Sequence, residues 1–152
     1  MKFWDSSAIL PLLIQEPASE RVERVLRRDP ELVIWWATPV ECSSALARRR
    51  RESGLQESGL RRAQNILDDL LKHAYEIEPM EDVRARAQRL LSVHRLRAAD
   101  ALQLASALVW CRELPRGVGF VCLDDRLCGA AVREGFTMEP PAEWINDRAF
   151  PE

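Results

Sequence analysis

Four acidic residues stand where a chain of alternating strands and helices places chemistry: Asp5, Glu41, Asp100 and Asp124. Asp5 closes the short run KFW, Glu41 comes one turn past LVIWWA, and Asp124 follows GFVCL. Asp100 differs, because it lies in the first turn of RAADALQLASALV, a helical pattern that is apolar almost all the way round. Such a helix packs on several neighbours at once. A carboxylate set into it is costly to desolvate unless a cation, a donor or a water-filled cleft receives it. Each acid also has a structural use. Asp5 and Asp124 suit the N-cap of a helix, Glu41 fits a capping box with Thr38, and Asp100 fits the positive end of its own helix. Brought together, however, four carboxylates repel one another and rise in pKa unless a cation neutralises them. Hard oxygen donors in that number suit Mg²⁺ or Mn²⁺. Such an ion activates water and offsets charge on a phosphodiester. The expected reaction class is metal-assisted phosphodiester hydrolysis.

The elements that must position these acids are short. Lys2 to Asp5 reads as a buried strand, followed by a helix from Ser6 and Ser7 through Ile14 that Pro11 kinks and Glu16-Pro17 ends. Ala18 to Arg28 is a second helix. Leu32 to Ala37 has the continuous apolar character of a central parallel strand, and Thr38 opens a helix that runs into Arg48 to Arg51 and stops near Gly54. Leu60 to Ala74 is strongly amphipathic. Tyr75 to Glu78 reads as a strand, Glu81 to His94 and Arg97 to about Arg112 as helices, and Gly119 to Leu123 as a buried strand. Asp124 to Glu134 is a helix closed by Gly135, and Phe136 to Glu139 is a last strand. Strands alternating with helices imply one α/β domain, a central parallel sheet of four to five strands flanked by helices. In such sheets the functional crevice lies beyond the carboxyl ends of the strands.

Composition bounds the rest. With 152 residues, 47% hydrophobic and 30% charged, the chain has the size and make-up of a single globular domain. No apolar run approaches the ~20 residues that cross a bilayer, and the N-terminus reads as mature protein rather than a signal peptide. The four cysteines, Cys42, Cys111, Cys122 and Cys128, form no C-x-x-C pair, which points to reduced thiols in a cytoplasmic protein and away from zinc. A net charge of −2 argues against a broad nucleic-acid-binding surface. The cations are nonetheless twenty Arg against two Lys. That bias fits either codon usage with a solvated helix face or an arginine rim facing phosphate. No nucleotide-binding glycine motif occurs, and His73 and His94, read as surface or partly buried helix residues, have no nucleophile beside them. A phosphoacceptor domain would need a late strand-end Lys, and the two lysines are Lys2 and Lys72.

Four segments carry a resemblance: WDSSAILPLLIQEP, TPVECSSALAR, LRAADALQLASALV and FVCLDDRLCGAAVREGF. In this order they resemble the acidic segments of the PIN-domain family, and most of all its VapC-like toxins, over about residues 2 to 139. The resemblance implies a PIN-like three-layer α/β/α domain over 1–139 with a tail over 140–152. It also implies Mg²⁺- or Mn²⁺-dependent endonucleolytic cleavage of RNA, a cognate antitoxin and a homodimer. Carried over by position, Asp5, Glu41, Asp100 and Asp124 are the catalytic and metal-binding set, with Ser6 beside the first acid. Two features depart from the pattern. Cys122 stands where a hydroxyl residue is common, and Asp125 adjoins Asp124 as a rival for the fourth acid. A catalytically inactive PIN-like binding module is the alternative reading.

Overall fold

Each short apolar run is followed within a few residues by a helix-starting signal, so strands and helices alternate from the outset. The computed structural model describes residues 1–142 and contains five strands and seven helices there. The first half runs β1 (Lys2–Trp4), α1 (Ser6–Leu13), α2 (Ser19–Arg28), β2 (Leu32–Trp35), α3 (Thr38–Ser53) and α4 (Glu57–Leu71). The second half runs β3 (Tyr75–Ile77), α5 (Glu81–Val93), α6 (Ala98–Trp110), β4 (Gly119–Val121), α7 (Asp125–Glu134) and β5 (Thr137–Glu139). The tail from 143 onward lies outside the described residues.

Most ends lie within a few residues of the sequence pattern, and three of the differences bear on how the elements are joined. β2 stops at Trp35 because Ala37 already has helical dihedrals, preparing for Pro39 in the first turn of α3, where a missing N–H is harmless. The first helix, with Pro11 inside it, ends at Leu13, before Glu16-Pro17. There the Ser19 hydroxyl donates to the Pro11 carbonyl at 2.6 Å and accepts the Glu16 amide at 2.8 Å, tying the loop to the helix end. α4 begins at Glu57, ahead of the amphipathic stretch expected from Leu60.

The strands form one parallel sheet in the order β3-β2-β1-β4-β5, with Phe3 opposite both Val33 and Phe120. Alternate side chains enter opposite cores, as strand geometry requires. Phe3, Val33, Trp35 and Phe120 pack with α5, α6 and α7, whereas Trp4, Leu32, Ile34 and Val121 pack with α1 to α4. Phe3 stacks on Phe120, and Phe120 meets Phe136, both with ring centroids 5.3 Å apart. The molecule therefore has helix, sheet and helix layers. From β1 the chain builds outward to β2 and β3, then returns across the sheet to β4. The order of strands reverses between β1 and β4, and that reversal marks the crevice.

Candidate active site

At the reversal, the Asp5 amide donates to the Val121 carbonyl at 2.9 Å, joining the ends of β1 and β4. Asp5 and Asp124 are the residues that leave those strands and enter helices. Each caps its helix: a side-chain oxygen of Asp5 accepts the Ser7 amide at 2.9 Å, and one of Asp124 accepts the Leu127 amide at 2.9 Å. Glu41 and Asp100 lie in the first turns of α3 and α6. All four acids line one cleft of about 740 Å³, together with Ser6, Ser7, Glu16, Ser44, Arg48, Arg49 and Arg97. Four helix N-termini thus bring their positive ends to the same opening, which favours negative side chains there. The capping role expected for Asp5 and Asp124 and their place in the cleft are compatible, because a cap occupies one carboxylate oxygen.

Burial acts against that favourable field. Asp5 is buried, and desolvation pushes its carboxyl from the ordinary 3.8 to about 6; hydrogen bonds from Ser7 oppose the rise, and the charges of Glu41 and Asp100 add to it. Desolvation likewise raises Glu41, against hydrogen bonds from Ser6 and Gln103, with Asp100 pushing the same way. Asp100 rises through burial and the neighbouring charge of Asp124, and the nearby Arg97 amide and the charges of Arg97 and Arg126 restrain it. The acids are therefore electrostatically linked from Asp5 through to Asp124. Among the described residues none of the four forms a salt bridge with a basic side chain.

Several details revise the sequence reading. Glu41 does not reach back to the Thr38 amide. Ala37 is the residue capping α3, without a side-chain bond, and Glu41 Oε2 instead accepts from Ser6 Oγ at 2.8 Å and Gln103 Nε2 at 3.2 Å. Gln103 is the residue that sequence reasoning passed over. It is fully buried, and the same amide nitrogen donates to Thr38 Oγ1 at 3.1 Å. A polar side chain three residues after Asp100, on an otherwise apolar helix, was the available signal. His94 is buried just beyond α5, with Nε2 2.6 Å from Glu134 and Nδ1 accepting from Arg133 at 3.3 Å, so it ties α5 to α7 away from the cleft. His73 is exposed in the turn after α4. Asp124 lines the cleft, whereas Asp125 is exposed in the first turn of α7. Cys122 is buried with its sulfur 3.8 Å from Asp5 Oδ2 and 3.6 Å from Ser7 Oγ. The Ser7 hydroxyl also accepts the Leu123 amide at 3.0 Å.

The PIN domain model matches residues 2–114. This chain belongs to the PIN-domain family. Ribonuclease VapC45 of Mycobacterium tuberculosis is 33% identical to this PIN domain over 126 residues, covering 76% of this chain and 87% of that protein. The fold is shared with VapBC2 from Rickettsia felis bound to a DNA fragment from their promoter, at a TM-score of 0.65 and 10% identity over 91% of this chain and 96% of that one. A toxin–antitoxin complex from Klebsiella pneumoniae matches at a TM-score of 0.63 and 15% identity, over 90% of this chain and 97% of that one.

The donor chemistry of this PIN domain fits a hard divalent cation. Its cleft concentrates oxygen donors, of which Asp5, Glu41 and Asp100 have ionised forms disfavoured by burial and by neighbouring charge, and a cation relieves both. As the side chains stand, no group of three or more His, Cys, Asp or Glu among the described residues is drawn together closely enough to hold a metal ion. Among the described residues no helix is long and apolar enough to cross a membrane.

Proposed function

We propose that this PIN domain is an endoribonuclease that uses Mg²⁺ or Mn²⁺ and acts as the toxin of a toxin–antitoxin pair. The observation that carries this reading is the convergence of Asp5, Glu41, Asp100 and Asp124 on one cleft at the strand-order reversal. The name of the M. tuberculosis relative, a ribonuclease, supports the reaction. The structural neighbour from Klebsiella pneumoniae, a toxin–antitoxin complex, supports an antitoxin partner. The nuclease unit in this reading spans 1–139, with 140–152 as a tail, and the family resemblance supports a homodimer in the cytoplasm.

In this mechanism Asp5, Asp100 and Asp124 would hold the ion, and Glu41 would complete its shell or orient the attacking water. Bound there, the ion supplies an activated water and offsets charge on the phosphodiester. The chain does the positioning. Ser6 and Gln103 grip the same oxygen of Glu41 from α1 and α6, so the carboxylate is fixed by two other elements before substrate arrives. Ser7 braces the turn after β4 through the Leu123 amide, and with it the approach to Asp124.

The test is cleavage of single-stranded RNA by wild type and Asp100→Asn, with Mg²⁺, Mn²⁺ or EDTA. Wild type is expected to cut with either ion and to stop in EDTA. The variant should lose at least ~100-fold, as expected for a group acting on the reacting atoms. Full activity in the variant or in EDTA overturns the mechanism. An absence of divalent-ion binding by calorimetry would favour the inactive binding module.

A further inference from the structure

The arginine run on α3 is sorted by the fold into members with different duties. Successive residues of a helix point about 100° apart, so Arg48 to Arg51 cannot share a face. The Arg49 guanidinium is paired with Glu16, and Arg50 lies 2.5 Å from Glu57. Arg51 is exposed and does not line the cleft. Arg48 is seven residues, two turns, beyond Glu41, which returns it to the same face of the helix. Glu41, Ser44, Ala45 and Arg48 accordingly line the cleft as one stripe. Two turns also set Arg48 roughly 10 Å along the helix from Glu41. Arg48 is exposed, and among the described residues it has no hydrogen-bond or ion-pair partner. Arg97, which also lines the cleft, is the N-cap residue of α6, three positions before Asp100, and is likewise exposed.

An opening lined by four carboxylates repels a polyanion. An ion at the acids offsets that repulsion only where it sits, whereas a nucleic-acid strand carries charge well beyond the scissile bond. Guanidinium groups exposed along the cleft are what such a strand requires, because their planar fork binds phosphate oxygens in pairs. We propose that Arg48, with Arg97 of the same cleft, is a positioning residue that holds backbone phosphates of single-stranded RNA flanking the cleavage point. This rests on the ribonuclease reading above and adds the residues that admit the substrate.

Two measurements on Arg48→Gln test it. In cleavage kinetics, KM is expected to rise roughly tenfold, by a similar factor for RNAs of different sequence, with kcat changed much less. In binding of a fluorescent single-stranded RNA, measured in the Asp100→Asn background, the slope of log affinity against log salt should flatten by about 0.7. A structural defect would not move that slope, and Arg48→Lys should recover part of the affinity through its retained charge. An unchanged KM and salt slope in Arg48→Gln would overturn the proposal. So would a variant that loses affinity only for a partner protein, which would assign Arg48 to a protein interface. Should wild type fail to cleave RNA, the ribonuclease reading falls, and the binding slope still decides whether Arg48 contacts phosphate.

Discussion

Gln103 shows how one side chain ties the core to the cleft. Its amide nitrogen faces Thr38 and Glu41, because an ionised carboxylate accepts hydrogen bonds and cannot donate them. The consequence is that its carbonyl oxygen is buried without a partner among the described residues, a situation that costs about 1–3 kcal/mol. A residue kept at that expense in a helix built mostly from Ala and Leu is explained by what it holds, the second acid. Gln103→Met keeps the length and removes both the donor and the orphaned acceptor. Its stability in urea should therefore stay within ~1 kcal/mol of wild type, while RNA cleavage falls about tenfold as Glu41 loses its grip on that side. Equal cleavage by the two proteins would show that Ser6 alone suffices to orient Glu41.

At the scale of the element, α6 is the helix on which the site depends. Ala101, Leu104, Ala105, Ala107 and Leu108 are buried, and the alanines let α5 and the sheet approach closely on opposite sides. Asp100 can occupy the first turn because that end opens on the cleft, where neighbouring helix N-termini also arrive. Leu104→Ala should lower the unfolding free energy by about 2–5 kcal/mol, as for truncation of a fully buried leucine. A loss under 1 kcal/mol in denaturant unfolding would mean that α6 is not the packed centre of its layer.

For the molecule as a whole, the acidic cleft sets how stability follows pH. In the unfolded chain Asp5 ionises near its ordinary 3.8, whereas in the fold it keeps its proton to about 6. The folded state therefore binds the extra proton inside that window. The relative stabilisation is full below pH 3.8, and it is lost as pH rises through about 6. The loss amounts to about 3 kcal/mol for Asp5, with Glu41 and Asp100 shifted in the same direction. Calorimetric melting in EDTA should show the metal-free protein losing Tm between pH 5 and 7.5, and Mg²⁺ or Mn²⁺ restoring more at the higher pH. Metal-free Asp100→Asn should be at least as stable as wild type at pH 7.5, since one repelling charge is gone. A Tm that climbs steadily across this range would show that the four acids are not held against one another.

What the sequence determined by itself was whatever is local or periodic. Apolar runs of strand length, the φ > 0 stops at Gly54 and Gly135, and the almost wholly apolar pattern around Asp100 each follow from residues within a few positions. They lead to a parallel sheet with acids at its carboxyl rim. The tertiary structure alone decided what depends on packing between distant segments. It turned Glu41 away from its own helix end toward Ser6 and Gln103, separated paired from unpaired arginines on α3, and put Asp124 rather than Asp125 in the cleft. Those outcomes depend on which helix lies beside which, and a hydrogen bond spanning 62 residues, from Gln103 to Glu41, leaves no periodic trace in the chain.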